Sequence, residues 1–278
     1  MTQSERHGAG VLPARPTGDR RIPGLRQMDE VMGVPVALDI RDPLPAATLH
    51  ELAERVFDWL RTVDALFDTE DAESQVSLLD QGMLRPGRAD PLVREVLNHC
   101  ARLNERTHGY FDIFVRGRLD PSGYVKGWAL QRASAMLTEA GAPDHLLRAG
   151  GDVYAGGHPE PGHTWQVAVR DPFRRQALAW LVPATGLGVA TSDGHAGLGV
   201  RDPTTRRPAS GLASVTVTGP DLGTADAYAT AAYAMGPAAH DWLAGLDDVY
   251  GYALIDDQGR RFHGRLPACA WPRRPARA

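Results

Sequence analysis

Val34, Val36, Leu38 and Ile40 alternate with Pro35, Ala37 and Asp39, and this period of two predicts a strand with one buried face. The pattern then changes. Over Ala46 to Phe67 the apolar residues Leu49, Leu52, Val56, Leu60, Val63 and Phe67 recur at three and four, which predicts one amphipathic helix. A second helix is expected after Asp90-Pro91, because Asp caps helix starts and Pro suits the first helical position. Its stripe is Leu92, Val93, Val96, Leu97, Cys100 and Leu103. A third is expected from near Lys126 to Gly141, carrying Trp128, Ala129, Ala133, Met136 and Leu137.

Beyond Gly141 the texture becomes short β runs: Leu146 to Leu147, Trp165 to Val169, Leu178 to Val182, Leu187 to Val189, Ser214 to Val217 and Tyr250 to Ile255. One helical stretch, Ala225 to Met235, interrupts them. Helices and strands are partly segregated and short turns join most strands, so the expected class is α+β rather than a doubly wound parallel sheet. The segment 1–28 is expected to be disordered, 29–266 to form the folded domain, and 267–278 to be a second disordered tail.

Composition narrows the function classes. A net charge of −4, with acids and bases interspersed, leaves no electrostatic footprint for nucleic acid. Two cysteines, Cys100 and Cys269, make neither a disulfide framework nor a thiolate metal site. Cys100 reads as a small buried hydrophobe. No run approaches the ~20 apolar residues of a membrane helix, and Met1 to Gly24 lacks the apolar core of a secretory signal. The expectation is a cytoplasmic protein without membrane association.

Several short stretches carry possible chemistry. Asp120 to Gly127 is a Pro- and Gly-containing turn leading into a helix, where free N–H groups and Lys126 suit a phosphate. A turn with a solvated lysine would read the same. Gly150-Gly151-Asp152 implies positive φ or a close main-chain approach, by a ligand or within a hairpin. Asp226 and Thr230 lie one helical turn apart, a spacing that suits a hard cation such as Mg²⁺. A first-turn acid is the structural alternative. His108 and His195 are acid/base candidates by residue type, but the sequence around them assigns them no role.

The order of these stretches resembles the ApbE family of FAD:protein FMN transferases, from Met32-Gly33 to Met235-Gly236. Phe67 with Ser74 and Leu78 is similar to the family's Phe-Ser…Ser-x-hydrophobic segment. Thr107-His108-Gly109-Tyr110-Phe111-Asp112 is similar to its Thr-Gly-Gly-x-Phe-Asp motif, and Asp120 to Trp128 to its Asp-Leu-Ser/Gly-x-Ile-Ala-Lys-Gly-Tyr signature. Gly150-Gly151-Asp152, Ala190-Thr191-Ser192, Asp202-Pro203-Thr204 and Asp226-Ala227…Thr230 supply the remaining matches.

The resemblance implies a single α+β domain, with mixed or antiparallel sheets and flanking helices, that binds FAD with Mg²⁺. It implies cleavage of the diphosphate and transfer of FMN to a threonine of an acceptor flavoprotein or flavin-requiring redox protein, with release of AMP. By position it implies metal ligation by the side chains of Asp226 and Thr230 and the backbone carbonyl of Gly123. Met32, Phe67, Asp112, Lys126, Gly150, Gly151, Asp152, Thr191 and Ser192 would serve the flavin, adenosine and diphosphate. There are departures as well, the first being His108 in place of the first glycine of the Thr-Gly-Gly motif. Gly199 takes the place of the family's usual histidine in Gly199-Val200-Arg201-Asp202-Pro203, and Asp193 follows Ser192 where glycine is common. An FAD-binding protein without transferase activity, or an Mg²⁺-dependent FAD pyrophosphatase, is therefore also open.

Overall fold

The computed structural model describes residues 24–114, 117–193 and 199–267. The chain opens with an antiparallel hairpin, β1 (Leu25–Val31) and β2 (Val34–Ile40), turning at Met32-Gly33, both with positive φ. β1 corrects the sequence reading at one end. The strand begins inside the 1–28 segment expected to be disordered, because pairing with β2 orders residues whose own side chains are mostly half-exposed or exposed.

Helices α1 (Ala46–Phe67), α2 (Gln75–Asp80), α3 (Pro91–Arg106) and α4 (Ser122–Glu139) follow. α1 has the predicted bounds, and Asp90 caps α3 by accepting the Leu92 N–H at 2.8 Å. α4 begins at Ser122, so Lys126 sits a full turn inside it rather than at its start.

Strands β3 (His145–Ala149), β4 (Asp152–Ala155), β5 (Trp165–Asp171), β6 (Arg174–Ala184), β7 (Leu187–Asp193) and β8 (Leu212–Gly219) come next, then α5 (Leu222–Met235), a short α6 (Ala239–Ala244), β9 (Gly251–Asp256) and β10 (Arg261–Gly264). Eight strands form one antiparallel sheet in the order β1-β2-β3-β4-β7-β8-β9-β10, and β5 and β6 form a separate hairpin. The fold is thus α+β, as the segregation of periods predicts. The described part of the chain contains no helix long and apolar enough to cross a membrane.

The two faces of the sheet carry different cores. Against one face lie α1, α4 and α5, in a cluster that includes Leu38, Phe57, Leu60, Leu130, Val217 and Leu222. The other face is covered by the hairpin, whose Trp165 and Trp180 pack with Val153, Val189 and Ile255. Cys100 is buried in the helical core, and burial pushes its thiol up to about 12, which keeps it protonated. It behaves as the small hydrophobe expected.

α5 is apolar on nearly every side and is the central helix. Its start is fixed by two side chains. Asp221 accepts the Thr224 N–H at 2.6 Å, and Gln131 of α4 accepts from Leu222 N at 2.6 Å while donating to the Pro220 carbonyl at 3.0 Å. Farther along, α4 and α5 meet through glycines. A Cβ on Gly127 would stand 2.7 Å from the Leu222 carbonyl oxygen, and one on Gly223 would stand 2.8 Å from the Tyr124 ring. Small residues here set the helix spacing.

Two predictions follow from this packing. Gly127→Ala gains about 1 kcal/mol of helix propensity but overpacks a backbone contact, which costs about 1–3 kcal/mol. Urea unfolding should show a net loss, whereas Gly87→Ala, with open space around it and no positive φ, should stay within about 0.5 kcal/mol. Equal effects at the two sites would contradict the close crossing.

The second prediction concerns His145, which is fully buried. Its Nδ1–H donates to Ala142 O at 2.8 Å, and its Nε2 accepts the Ser134 hydroxyl at 2.6 Å. Burial lowers its pKa from the ordinary 6.5, so the unfolded chain binds the proton first as pH falls. The stability from neutral His145 is present above 6.5 and is lost progressively below it. Thermal midpoints measured from pH 7.5 to 5 should fall less steeply for His145→Phe than for the parent; parallel curves would exclude this role.

Candidate functional site

The Gly127–Gly223 crossing brings Lys126 of α4 alongside Asp226 of α5, one turn beyond the Asp221 cap. Lys126 Nζ lies 2.8 Å from Asp152 Oδ2 and 3.4 Å from Asp226 Oδ2. Asp152 is the first residue of β4, delivered by the two-residue turn Gly150-Gly151 that links it to β3. Helix, helix and strand thus meet at one charge cluster.

The carboxylates are almost inaccessible, with side-chain exposures of 3% for Asp152 and 6% for Asp226, while Lys126 retains 27%. Burial, then the neighbouring Asp152, pushes the Asp226 carboxyl well above the usual carboxylate range, against the pull of Lys126. Burial works to lower the Lys126 ammonium. The two carboxylates outweigh it and hold the group above its ordinary value. Two buried carboxylates with one lysine leave an uncompensated negative charge, which a proton or another cation can satisfy.

Hydroxyls extend the cluster. Thr230 lies one turn beyond Asp226 on α5, and its Oγ1 is 3.2 Å from Ser192 Oγ on β7. The neighbouring Thr191 pairs its Oγ1 with Thr216 Oγ1 of β8 at 3.0 Å. Gly123, in the first turn of α4, faces the same place. A Cβ there would lie 3.5 Å from Thr230 Oγ1 and 3.3 Å from the Phe111 ring.

Among the described residues no three His, Cys, Asp or Glu side chains converge to hold a metal ion. The groups at hand are instead the buried Asp226 carboxylate and the Thr230 and Ser192 hydroxyls, with Gly123 facing Thr230. Such all-oxygen donors fit a hard divalent cation that keeps waters and takes further oxygens from a phosphate. The excess negative charge fits it as well.

Beside the cluster is a cavity of about 370 Å³ lined by Met32, Gly33, Phe67, Ser122, Val125 and Lys126. Asp64 of α1 holds its rim by accepting the Met32 N–H at 3.1 Å, which ties the β1–β2 turn to the helix. Behind it Phe67 meets Trp128 edge-on, with ring centroids 6.0 Å apart. Met32, Val63, Phe67 and Val125 thus give the cavity an apolar face, Lys126 gives it a positive charge, and Asp64, Asp68 and Glu70 also lie on its lining.

The sequence-predicted residues divide accordingly. Lys126, Asp152, Asp226, Thr230, Ser192 and Gly123 gather at the charged end, and Met32 and Phe67 at the apolar wall. The glycine pair has an internal explanation. Gly150 takes φ 57 in the turn, and the close approach at Gly151 is to the Thr191 carbonyl of β7, 2.5 Å from where its Cβ would stand. Asp112 is not brought together with the others. It lines a second, mostly apolar cavity of about 580 Å³ with Cys100, Ile113 and Phe114, and its Oδ1 accepts the Phe114 N–H at 2.8 Å.

His108 is exposed in the turn after α3 at φ 54, and His195 lies outside the described residues. Asp202 spends its oxygens within its own loop, accepting from Thr204 and Thr205. Sequence reasoning missed Asp64 and Thr216, which buttress Met32 and Thr191. It also missed the pairing of Lys126 with Asp152 across 26 residues. None of these carries a local pattern.

The chain and its fold are similar to known proteins. The family model described as the ApbE family matches residues 32–118 and 115–252. The FAD:protein FMN transferase of Rhodobacter capsulatus is 35% identical over 156 residues, 52% of this chain and 29% of that protein. That of Escherichia coli (strain K12) is 29% identical over 157 residues, 51% of this chain and 44% of the relative. The matched stretches thus span less than half of these relatives. The flavin transferase ApbE from Vibrio cholerae and the ApbE protein from Thermotoga maritima share the fold. Each has a TM-score of 0.73 at 19% identity, over 86% of this chain and 96% of that structure. With the family model spanning most of the described residues and the fold in agreement, this chain belongs to the ApbE family.

Proposed function

We propose that the protein transfers FMN from FAD to a threonine of an acceptor flavoprotein, using Mg²⁺ and releasing AMP. The observation that carries this reading is the junction, at Lys126, of a cavity with an apolar Met32–Phe67 face and the Lys126–Asp152–Asp226 cluster. A flavin ring has an apolar face and FAD a charged diphosphate, and the two halves of the junction suit them in turn. The names of the curated relatives support the same activity.

In this reaction the acceptor hydroxyl oxygen attacks the FMN phosphorus and the bond to the AMP phosphate breaks. AMP leaves with the bridging oxygen, and the hydroxyl proton passes to solvent. Lys126 provides a positive charge at the diphosphate, held in place by Asp152. Ser192 and Thr230 offer hydroxyls on the same side. Met32 and Phe67 flank the ring and exclude water, so the protein's part is largely positioning. Mg²⁺, held by Asp226, Thr230 and the Gly123 carbonyl, would neutralise the charge that builds on the departing phosphate.

Gly199 favours a second reading, FAD binding without transfer. It stands where the family resemblance leads to a histidine, in a φ of 71 that suits glycine, with no atom of the described residues within 4 Å of a Cβ. A general base typically contributes about 10²–10⁴-fold, so its loss weakens transfer more than binding.

Incubation with FAD, Mg²⁺ and a carrier bearing an acceptor threonine separates the readings. Covalent flavin on the carrier with stoichiometric AMP is the expected result, and Asp226→Ala should reduce it by about 10²-fold or more. Bound FAD with neither product would favour the second reading. AMP released without any acceptor would indicate hydrolysis instead, and full activity of Asp226→Ala would exclude the proposed metal role.

A further inference from the structure

Lys126 is held unequally by its two partners. Nζ is 2.8 Å from Asp152 Oδ2 but 3.4 Å from Asp226 Oδ2, and both carboxylates are nearly buried. The shorter contact is an anchor, since Asp152 is fixed at the head of β4 by the turn before it. The longer contact is the one that can yield. Asp226 is also the carboxylate one turn from Thr230, whose hydroxyl faces Ser192 and Gly123. Lys126 and a divalent cation at that donor set therefore claim the same carboxylate.

We propose that Lys126 is an internal counter-cation that competes with the divalent ion for Asp226, stays anchored on Asp152, and is drawn toward the FAD diphosphate when the ion binds. This rests on the assignment of Asp226 to the metal under Proposed function. Two like charges cannot share one buried carboxylate cheaply. The ion therefore binds weakly while Lys126 remains on Asp226, and tightly once a diphosphate gives the ammonium another partner. By linkage, the ion raises the affinity for FAD by the same factor. Lys126 in this role is a positioning residue that makes ion and diphosphate binding cooperative, so the negative site does not fill with divalent ion before its substrate arrives.

Mn²⁺ binding, followed by the electron paramagnetic resonance signal of the free ion, tests this without any turnover. In the absence of FAD, Lys126→Met and Lys126→Gln should each bind Mn²⁺ about tenfold or more tighter than the parent, as removal of a neighbouring unit charge requires. Lys126→Arg, which keeps the charge, should stay weak. FAD should strengthen Mn²⁺ binding to the parent and do so much less in the two neutral variants. Lys126→Gln keeps a donor for Asp152, so it serves if the methionine variant does not fold, and Mn²⁺ should raise its thermal midpoint more than the parent's.

Asp226→Asn separates the two levels of the reading. If it loses Mn²⁺ while the neutral lysine variants bind no tighter than the parent, the competition is overturned and the metal site survives. If Asp226→Asn binds Mn²⁺ as the parent does, the metal assignment falls and the competition with it.

Discussion

Lys126, Asp152 and Asp226 come from a helix, a strand and a second helix, and their meeting depends on how closely α4 and α5 approach. Gly127 and Gly223 permit that approach, since a side chain at either position would enter the backbone or ring opposite. Gln131 fixes the start of α5 from α4, so the register of Asp226 against Lys126 is set by hydrogen bonds as well as by contact. The Gly150-Gly151 turn then brings Asp152 up from the sheet. A shift of one residue in any of these elements would leave a buried charge without its partner, which is among the costliest defects a fold can carry.

That constraint also shapes the chemistry. Two buried carboxylates with one lysine leave an excess of negative charge, and the side chains beside them, Thr230 and Ser192, offer only hard oxygens, which is the basis of the proposed cation. The adjoining cavity has an apolar face at Met32 and Phe67 and meets the charge cluster at Lys126, with Asp64, Asp68 and Glu70 also on its lining. Membership of the ApbE family and this division of the site point the same way.

Much of the fold was legible in the sequence because its signals are local. α1 shows its bounds in a three-and-four repeat of apolar residues, and α3 in its Asp-Pro start. What escaped was set by distant pairing. β1 exposes or half-exposes most of its side chains and gains order from β2, while β4 is too short to show a period. The Ala-rich α5 begins at Leu222 rather than Ala225, since its cap and its Gln131 partner lie outside any apolar stripe. The candidate site was legible as an ordered set of motifs. Its electrostatics were not, because Lys126 reads as a helix-start charge and proves to lie a turn inside, aimed at two carboxylates. Asp112 shows the converse, a motif residue whose cavity is a different one.

The most direct test of this account is the affinity for FAD and for riboflavin, measured by flavin fluorescence in Mg²⁺ and again in EDTA. A site that joins an apolar wall to a cation-dependent diphosphate cluster predicts that EDTA weakens FAD binding by about tenfold or more and leaves the weaker riboflavin binding unchanged. FAD affinity that is indifferent to EDTA, or equal to that of riboflavin, would contradict it.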